Sequence, residues 1–200
     1  MISTEEALNR LRKGNERFVS DSSIFNNALS HKSRRHSLAE DQDPFAIILG
    51  CSDSRVSSEI IFDQGLGDLF VVRVAGNIVA PSQIGSIEFA VERFGAKLVV
   101  VMGHSRCGAI QATLDSLSCP SDNHSKNLRS IVDRIRPSLE LLDIDQDPEI
   151  TLQQAVRANI HSSVSQLQHE SRVLEQLIKK GDLLILGAEY SLDTGIVNFL

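Results

Sequence analysis

Cys51-Ser52-Asp53-Ser54-Arg55 and His104-Ser105-Arg106-Cys107-Gly108 gather side chains that bind soft metal ions and carry protons. Each segment follows an apolar run, Phe45 to Gly50 and Leu98 to Gly103, with the length and branched-residue content of a strand buried on both faces. Ligands of an open parallel sheet sit beyond the carboxyl ends of its strands. Loops leaving two adjacent strands can therefore bring Cys51, His104 and Cys107 around one ion. Two thiolates and one imidazole favour zinc, and three protein ligands leave a fourth position for water or substrate. A helix is expected over 107–118, and its partial positive charge at Cys107 favours a thiolate there. Gly103 and Gly108 are expected to leave room for backbone close to the ion.

Asp53 and Arg55 can be an ordinary ion pair beside a turn, but they also fit a task at such an ion. Zinc neutralised by two thiolates is a weaker Lewis acid than zinc on three imidazoles, so water on it is harder to ionise. An ionised Asp53 only accepts hydrogen bonds, so it would orient a hydroxide by taking its proton. Arg55 would hold Asp53 in place and keep it ionised. Alternatively Asp53 binds the ion itself and closes the site, and the two arrangements together make a switch. Cys119, beside Pro120 in a loop, reads as an inert thiol. His31, His36, His124, His161 and His169 lie in polar stretches and read as solvated.

The surrounding pattern alternates strands with helices, which means an α/β fold with a largely parallel central sheet flanked by helices. Ser3 and Glu6 form a capping box for an amphipathic first helix ending near Val19. The polar stretch 20–43 is expected to be an arm crossing other structure or a partner subunit. Strands are expected at 45–50, 69–74 and 97–102, with helices around 56–64, 82–94 and 107–118. Gly95 suits the stop of the second helix of that set. After a loop at 119–126 come helical patterns at 127–142 and 149–169, with Pro148 in a first turn. Ser171 caps a further helix that Gly181 ends. A late strand runs from Asp182 to Tyr190, and a turn at 192–195 leads into a short run from Ile196 to Leu200. We expect one domain: a helical arm at 1–43, a metal-binding α/β core at 44–118, and helices with the last strands at 119–200.

With 200 residues and 42% hydrophobic content the chain can bury one substantial core. A net charge of -6 without any basic run gives no footprint for nucleic acid. No apolar run is long enough to span a bilayer, so no membrane partner is expected. The start, Met1-Ile2-Ser3-Thr4-Glu5-Glu6, lacks the basic and apolar regions of a signal peptide. Three widely spaced cysteines argue against a disulfide framework, and thiolate ligands suit a reducing cytoplasm. Gly65-Leu66-Gly67 lacks the third glycine and the strand-turn-helix setting of a dinucleotide site, and no phosphate-loop Gly-Lys-Ser/Thr occurs.

The motifs C-x-D-x-R and H-x-x-C-G, at Cys51 and His104, resemble those of the β-class carbonic anhydrases. The resemblance covers Gln42 to Gly108 and extends to Gly14-Asn15-Glu16-Arg17-Phe18 and Gly187-Ala188-Glu189-Tyr190. It implies one zinc ion per chain on Cys51, His104 and Cys107, with Asp53 and Arg55 as the catalytic dyad. The implied reaction is reversible hydration of carbon dioxide to bicarbonate and a proton by zinc-bound hydroxide. Gln42, in a Gln-x-Pro context, would donate to a substrate oxygen. Phe70 and Phe89 would wall the pocket, where many members have tyrosine at the second position, and Gly108 would offer an amide. A homodimer would bring Gln42, Phe70 and Phe89 to the neighbouring subunit's metal, and a dimer of dimers (a homotetramer) is also implied. Some bacterial members have a regulatory bicarbonate site that needs a tryptophan where this chain has Ile48, so that switch is expected to be absent and Arg73 structural. Hydrolysis of carbonyl sulfide or carbon disulfide on the same ligands, or a non-catalytic zinc or bicarbonate-binding protein, are the alternatives.

Overall fold

Strand β1 (Ala46–Gly50) is buried at every position, and so is β3 (Leu98–His104). Runs that are apolar on both faces belong in the middle of a covered parallel sheet. The computed structural model describes residues 2–24, 32–118, 125–140, 142 and 147–200. Its single sheet has five strands in the order β2-β1-β3-β4-β5, with β2 at Leu69–Arg73, β4 at Leu184–Tyr190 and β5 at Val197–Phe199. The first four are parallel, and β5 pairs antiparallel with β4.

Eight helices are described: α1 (Thr4–Val19), α2 (Lys32–Ser37), α3 (Ser58–Ile61), α4 (Pro81–Phe94), α5 (Gly108–Ser118), α6 (Lys126–Leu139), α7 (Pro148–His169) and α8 (Arg172–Lys180). Side chains alternate across the strands and divide the core in two. Ile47, Leu49, Val99 and Val101 face α4 to α8. Ala46, Ile48, Leu98, Val100 and Met102 face α1 and α3. The expected caps are in place. Ser3 Oγ accepts from the Glu6 amide and Ser171 Oγ from the Leu174 amide, while Gly95 and Gly181 end their helices in the left-handed region.

Two contacts set where the elements sit. Helix α7 lies on the sheet through Ile160, seated in slots that glycine leaves in two neighbouring strands. A Cβ on Gly103 would come within 2.7 Å of that side chain, and one on Gly187 within 2.6 Å. Helix α1 is pinned by Gly14-Asn15-Glu16-Arg17. A Cβ on Gly14 would strike the Phe62 carbonyl. Asn15 Nδ2 donates to the carbonyls of Ile61 and Gly195, and its Oδ1 accepts from the Val197 amide. Arg17 pairs with the buried carboxylate of Asp63.

The structure differs from the sequence expectations at β3 and in the arm. Strand β3 runs on through Gly103 to His104, because its ladder with β4 continues to the His104–Tyr190 rung. Gly103 therefore admits Ile160 of α7, rather than making room at the ion. Within the stretch 20–43, residues 32–37 form α2, tied down by Arg34, which donates to the Leu66 carbonyl and to Asp68. Cys119, His31 and His124 lie outside the described residues.

Candidate metal centre

Strands β1 and β3 are neighbours in register, so the residues leaving their carboxyl ends meet. Cys51 follows Gly50, His104 is the last residue of β3, and Cys107 precedes the first turn of α5. Their Sγ, imidazole nitrogen and Sγ atoms all lie within 4.8 Å of one another, and all three residues are buried. The two sulfurs are 4.0 Å apart. Sulfurs at two corners of a tetrahedron with bonds of about 2.3 Å would stand about 3.8 Å apart.

The imidazole is set for ligation. His104 Nδ1 lies 2.9 Å from the Ser105 carbonyl oxygen, a contact that needs the proton on Nδ1. Nε2 then carries the free lone pair, and it is buried with no hydrogen-bond partner among the described residues. An orphaned buried nitrogen costs on the order of 1–3 kcal/mol unless something binds it. A cation between two thiolates and this nitrogen removes that cost, so the donor set fits a soft divalent metal.

Around the sulfurs the backbone supplies donors. The Asp53 and Gly76 amides each reach Cys51 Sγ at 3.4 Å. Hydrogen bonding from the Cys107 thiol, against the effect of burial, brings the Cys51 thiol down to about 4. The same contact pushes Cys107 up, while the Ala109 and Ile110 amides at the start of α5 act the other way. Helix α5 begins at Gly108, one residue later than expected, and the Gln111 amide donates to the Cys107 carbonyl.

Asp53 stands beside the group. Its Oδ2 is 3.9 Å from His104 Nε2. Arg55 grips both carboxylate oxygens, Nε to Oδ1 at 2.9 Å and a terminal nitrogen to Oδ2 at 2.7 Å, and the Arg55 amide adds 3.0 Å to Oδ1. These bonds hold Asp53 well below the usual carboxylate range, with burial opposing and the Arg55 charge adding attraction. Asp53 is an acceptor at any working pH. Sequence reasoning reserved a structural role for Arg73 without saying what it holds. It donates to the carbonyls of Cys51 at 2.9 Å and Asp53 at 2.6 Å, bracing the loop that carries both. The Gly76 amide was missed. The one available signal was Gly76-Asn77 just past a strand end, where glycine takes positive φ freely and asparagine tolerates it.

The other sequence-named residues are elsewhere in the single chain. Gln42 is exposed at the amino end of β1, the length of that strand (about 16 Å) from the end where Cys51 leaves. It shares a surface depression with Leu38, Leu66 and Gly67. Phe70 is opposite Ile47, three rungs (about 10 Å) below the Gly50–Arg73 rung. It clusters with Phe89 and Phe94, ring centroids 5.7–6.4 Å apart, and Phe89 is 53% exposed. Gly108 is exposed next to Cys107, and a Cβ there would meet nothing within 4 Å, so no contact inside this chain demands glycine. A cavity of about 600 Å³ opens beyond β3 and β4, lined by Ser105, Arg106, Arg157, Glu189 and Asp193 among others. Cys51, Asp53, His104 and Cys107 do not line it, and both its arginines are paired within it, Arg157 with Glu189 and Arg106 with Asp193.

Two soft sulfurs and an imidazole at adjacent parallel strand ends, with a guanidinium-clamped carboxylate alongside, form a group that could hold a metal ion, with three donors rather than the four that close a structural zinc site. The carbonic anhydrase family model matches residues 46–197. Carbonic anhydrase 2 of Mycobacterium tuberculosis is 39% identical over 186 residues, spanning 92% of this chain and 87% of that protein. The carbonic anhydrase of Mycolicibacterium smegmatis is 40% identical over 194 residues, 94% of this chain and 88% of its own. Among solved structures, the β-carbonic anhydrase CcaA aligns with a TM-score of 0.74 at 25% identity, covering 98% of this chain and 90% of that one. One of the two tetrameric β-carbonic anhydrases of Sordaria macrospora aligns at 0.72 and 22%, covering 98% and 97%. The chain belongs to the β-class carbonic anhydrases, a family of lyases.

Proposed function

We propose that Cys51, His104 and Cys107 hold one zinc ion per chain and that the protein catalyses reversible hydration of carbon dioxide to bicarbonate and a proton. The observation that carries this reading is the partnerless, buried His104 Nε2 between two cysteine sulfurs, with the Arg55-clamped Asp53 carboxylate 3.9 Å away. When bound, zinc supplies the Lewis acidity that makes water a nucleophile near neutral pH. Asp53 accepts a hydrogen bond from the attacking oxygen, which fixes where that oxygen's lone pair points. Arg55 keeps the carboxylate ionised and aimed. Swinging Asp53 off Arg55 and onto the metal would close the site.

Substrate residues come from a second copy. Gln42, Phe70 and Phe89 lie far from their own metal group, and Phe89 is exposed beside the half-buried Phe70 and Phe94, so a homodimer that sets this surface over the partner's group completes the pocket. The tetrameric relatives of Sordaria macrospora support self-association. Gln42 then donates to a carbon dioxide or bicarbonate oxygen, the phenylalanines exclude water, and the Gly108 amide adds a donor. The reducing cytoplasm is the compartment that keeps the thiols available.

The test is stopped-flow carbon dioxide hydration from about pH 6.5 to 9 on protein of measured zinc content, the range around ionisation of water on such a metal. Turnover that rises with pH and scales with one zinc per chain supports the reading. Zinc-loaded protein without turnover at any pH overturns it and moves the assignment to carbonyl sulfide, carbon disulfide or a non-catalytic site.

A further inference from the structure

The segment that donates an amide to Cys51 Sγ is strained, and it is held from behind by one helix. Gly76 (φ 68°, ψ 20°) and Asn77 (φ 43°) are consecutive left-handed residues. A non-glycine residue in that region persists only where its surroundings over-determine it. Both residues are buried. A Cβ on Gly76 would come within 2.8 Å of Ile135 of α6 and 3.1 Å of Ala109 of α5. With the Gly76 amide turned to the sulfur, the carbonyls of Gly76 and Asn77 are taken up by α7. Asn159 Nδ2 donates to the Gly76 carbonyl at 2.8 Å, and Ser163 Oγ donates to the Asn77 carbonyl at 3.1 Å. Asn159 and Ser163 are one turn apart and both buried. Ile160, between them in the chain, seats the same helix on β3 and β4 over Gly103 and Gly187.

We propose that Asn159 and Ser163 are positioning residues for the Cys51 thiolate, acting through the Gly76-Asn77 turn. The inference rests on Cys51 being a metal ligand. An N–H aimed at a ligand sulfur fixes where its lone pairs point, and loss of an outer partner of this kind typically costs about 10-fold or more in metal affinity. Once the two α7 donors are removed, the strained turn relaxes, and the amide leaves the sulfur.

The experiment uses the full-length protein loaded with cadmium-113 in place of zinc. The thiolate-to-cadmium absorption reports that the cysteines bind, and scalar coupling from cadmium through Sγ to an amide proton reports each N–H···S bond. In the wild type both the Gly76 and Asp53 amides should show coupling. In Asn159→Ala the Gly76 coupling should disappear while the Asp53 coupling stays, and chelator-driven metal release should be about 10-fold faster or more. Ser163→Ala should move both readouts in the same direction by less. Cadmium-loaded wild type whose Gly76 amide shows no coupling overturns the proposal. So does an Asn159→Ala protein with wild-type coupling and release rate whose unfolding midpoint alone falls. Should Asn159→Ala not fold, Ser163→Ala and the wild-type coupling decide. Absence of thiolate-to-cadmium absorption in the wild type would instead overturn the metal assignment itself, so the two failures are distinguishable.

Discussion

Replacing Gly103 by alanine tests the seating of α7 on the sheet. The added Cβ would lie 2.7 Å from both Cγ1 and Cδ1 of Ile160, about 1 Å inside an ordinary carbon–carbon contact. Ile160 cannot swing aside, because its Cγ2 rests over Gly187 on the next strand and the side chain is fully buried. Relief therefore requires α7 to lift. Overpacking of this kind costs about 1–3 kcal/mol, partly offset by about 0.5–1 kcal/mol from replacing glycine inside a strand. The net loss should be about 1–2 kcal/mol in urea unfolding. In an Ile160→Ala background, itself destabilised by about 2–5 kcal/mol, the same Gly103→Ala change has room and should be neutral or slightly stabilising. The double-mutant cycle should thus show a coupling of about 1–3 kcal/mol. Equal cost of Gly103→Ala in both backgrounds would refute the seating.

Asn15→Ala deletes three hydrogen bonds between α1 and two distant carbonyls and an amide, about 1 kcal/mol each, and regains about 0.6 kcal/mol of helix propensity. Calorimetry should show the unfolding midpoint falling by about 5–10 °C. Burial raises the Asp63 carboxyl, but hydrogen bonds from Ser23, Arg17 and the Ile24 amide outweigh it and leave the group lowered. Its contribution is then complete above the ordinary carboxylate value of about 3.9 and is lost as pH falls through the lowered one. Urea midpoints of wild type and Asp63→Asn should differ most near neutral pH and converge in acid; a pH-independent gap would contradict this. Arg73→Lys cannot fork to the carbonyls of Cys51 and Asp53, and competition with a chelator should show metal affinity about 10-fold weaker. Stripping the metal with a chelator should abolish carbon dioxide hydration, and zinc should restore it; activity surviving in metal-free protein would rule out the proposed role.

The local features were readable along the chain because each rests on neighbours in sequence. Ser3, Ser171, Gly95 and Gly181 mark helix ends through hydrogen bonds and φ values within a few residues. The apolar runs before Cys51 and His104 announced strands buried on both faces. Features that join distant segments were less legible. Gly103 looked like room for an ion and is a slot for Ile160, 57 residues later by their numbers. Strand β3 outran its expected end because pairing with β4 carried the ladder to His104. Gly108 too looked like room for backbone near the ion, yet nothing among the described residues crowds it.

By itself, then, the sequence determined the donor types, their spacing and the alternating elements that deliver them, since ligand chemistry and hydrophobic period are properties of short stretches. The tertiary structure alone decided that β1 and β3 are neighbours, which sets the two sulfurs 4.0 Å apart, and that His104 leaves Nε2 buried without a hydrogen-bond partner among the described residues. It also decided that Arg73, Gly76 and the α7 pair Asn159 and Ser163 converge behind Cys51. Those contacts cross more than 80 residues of chain at their longest, and no local pattern encodes which buried carbonyl a distant asparagine will meet.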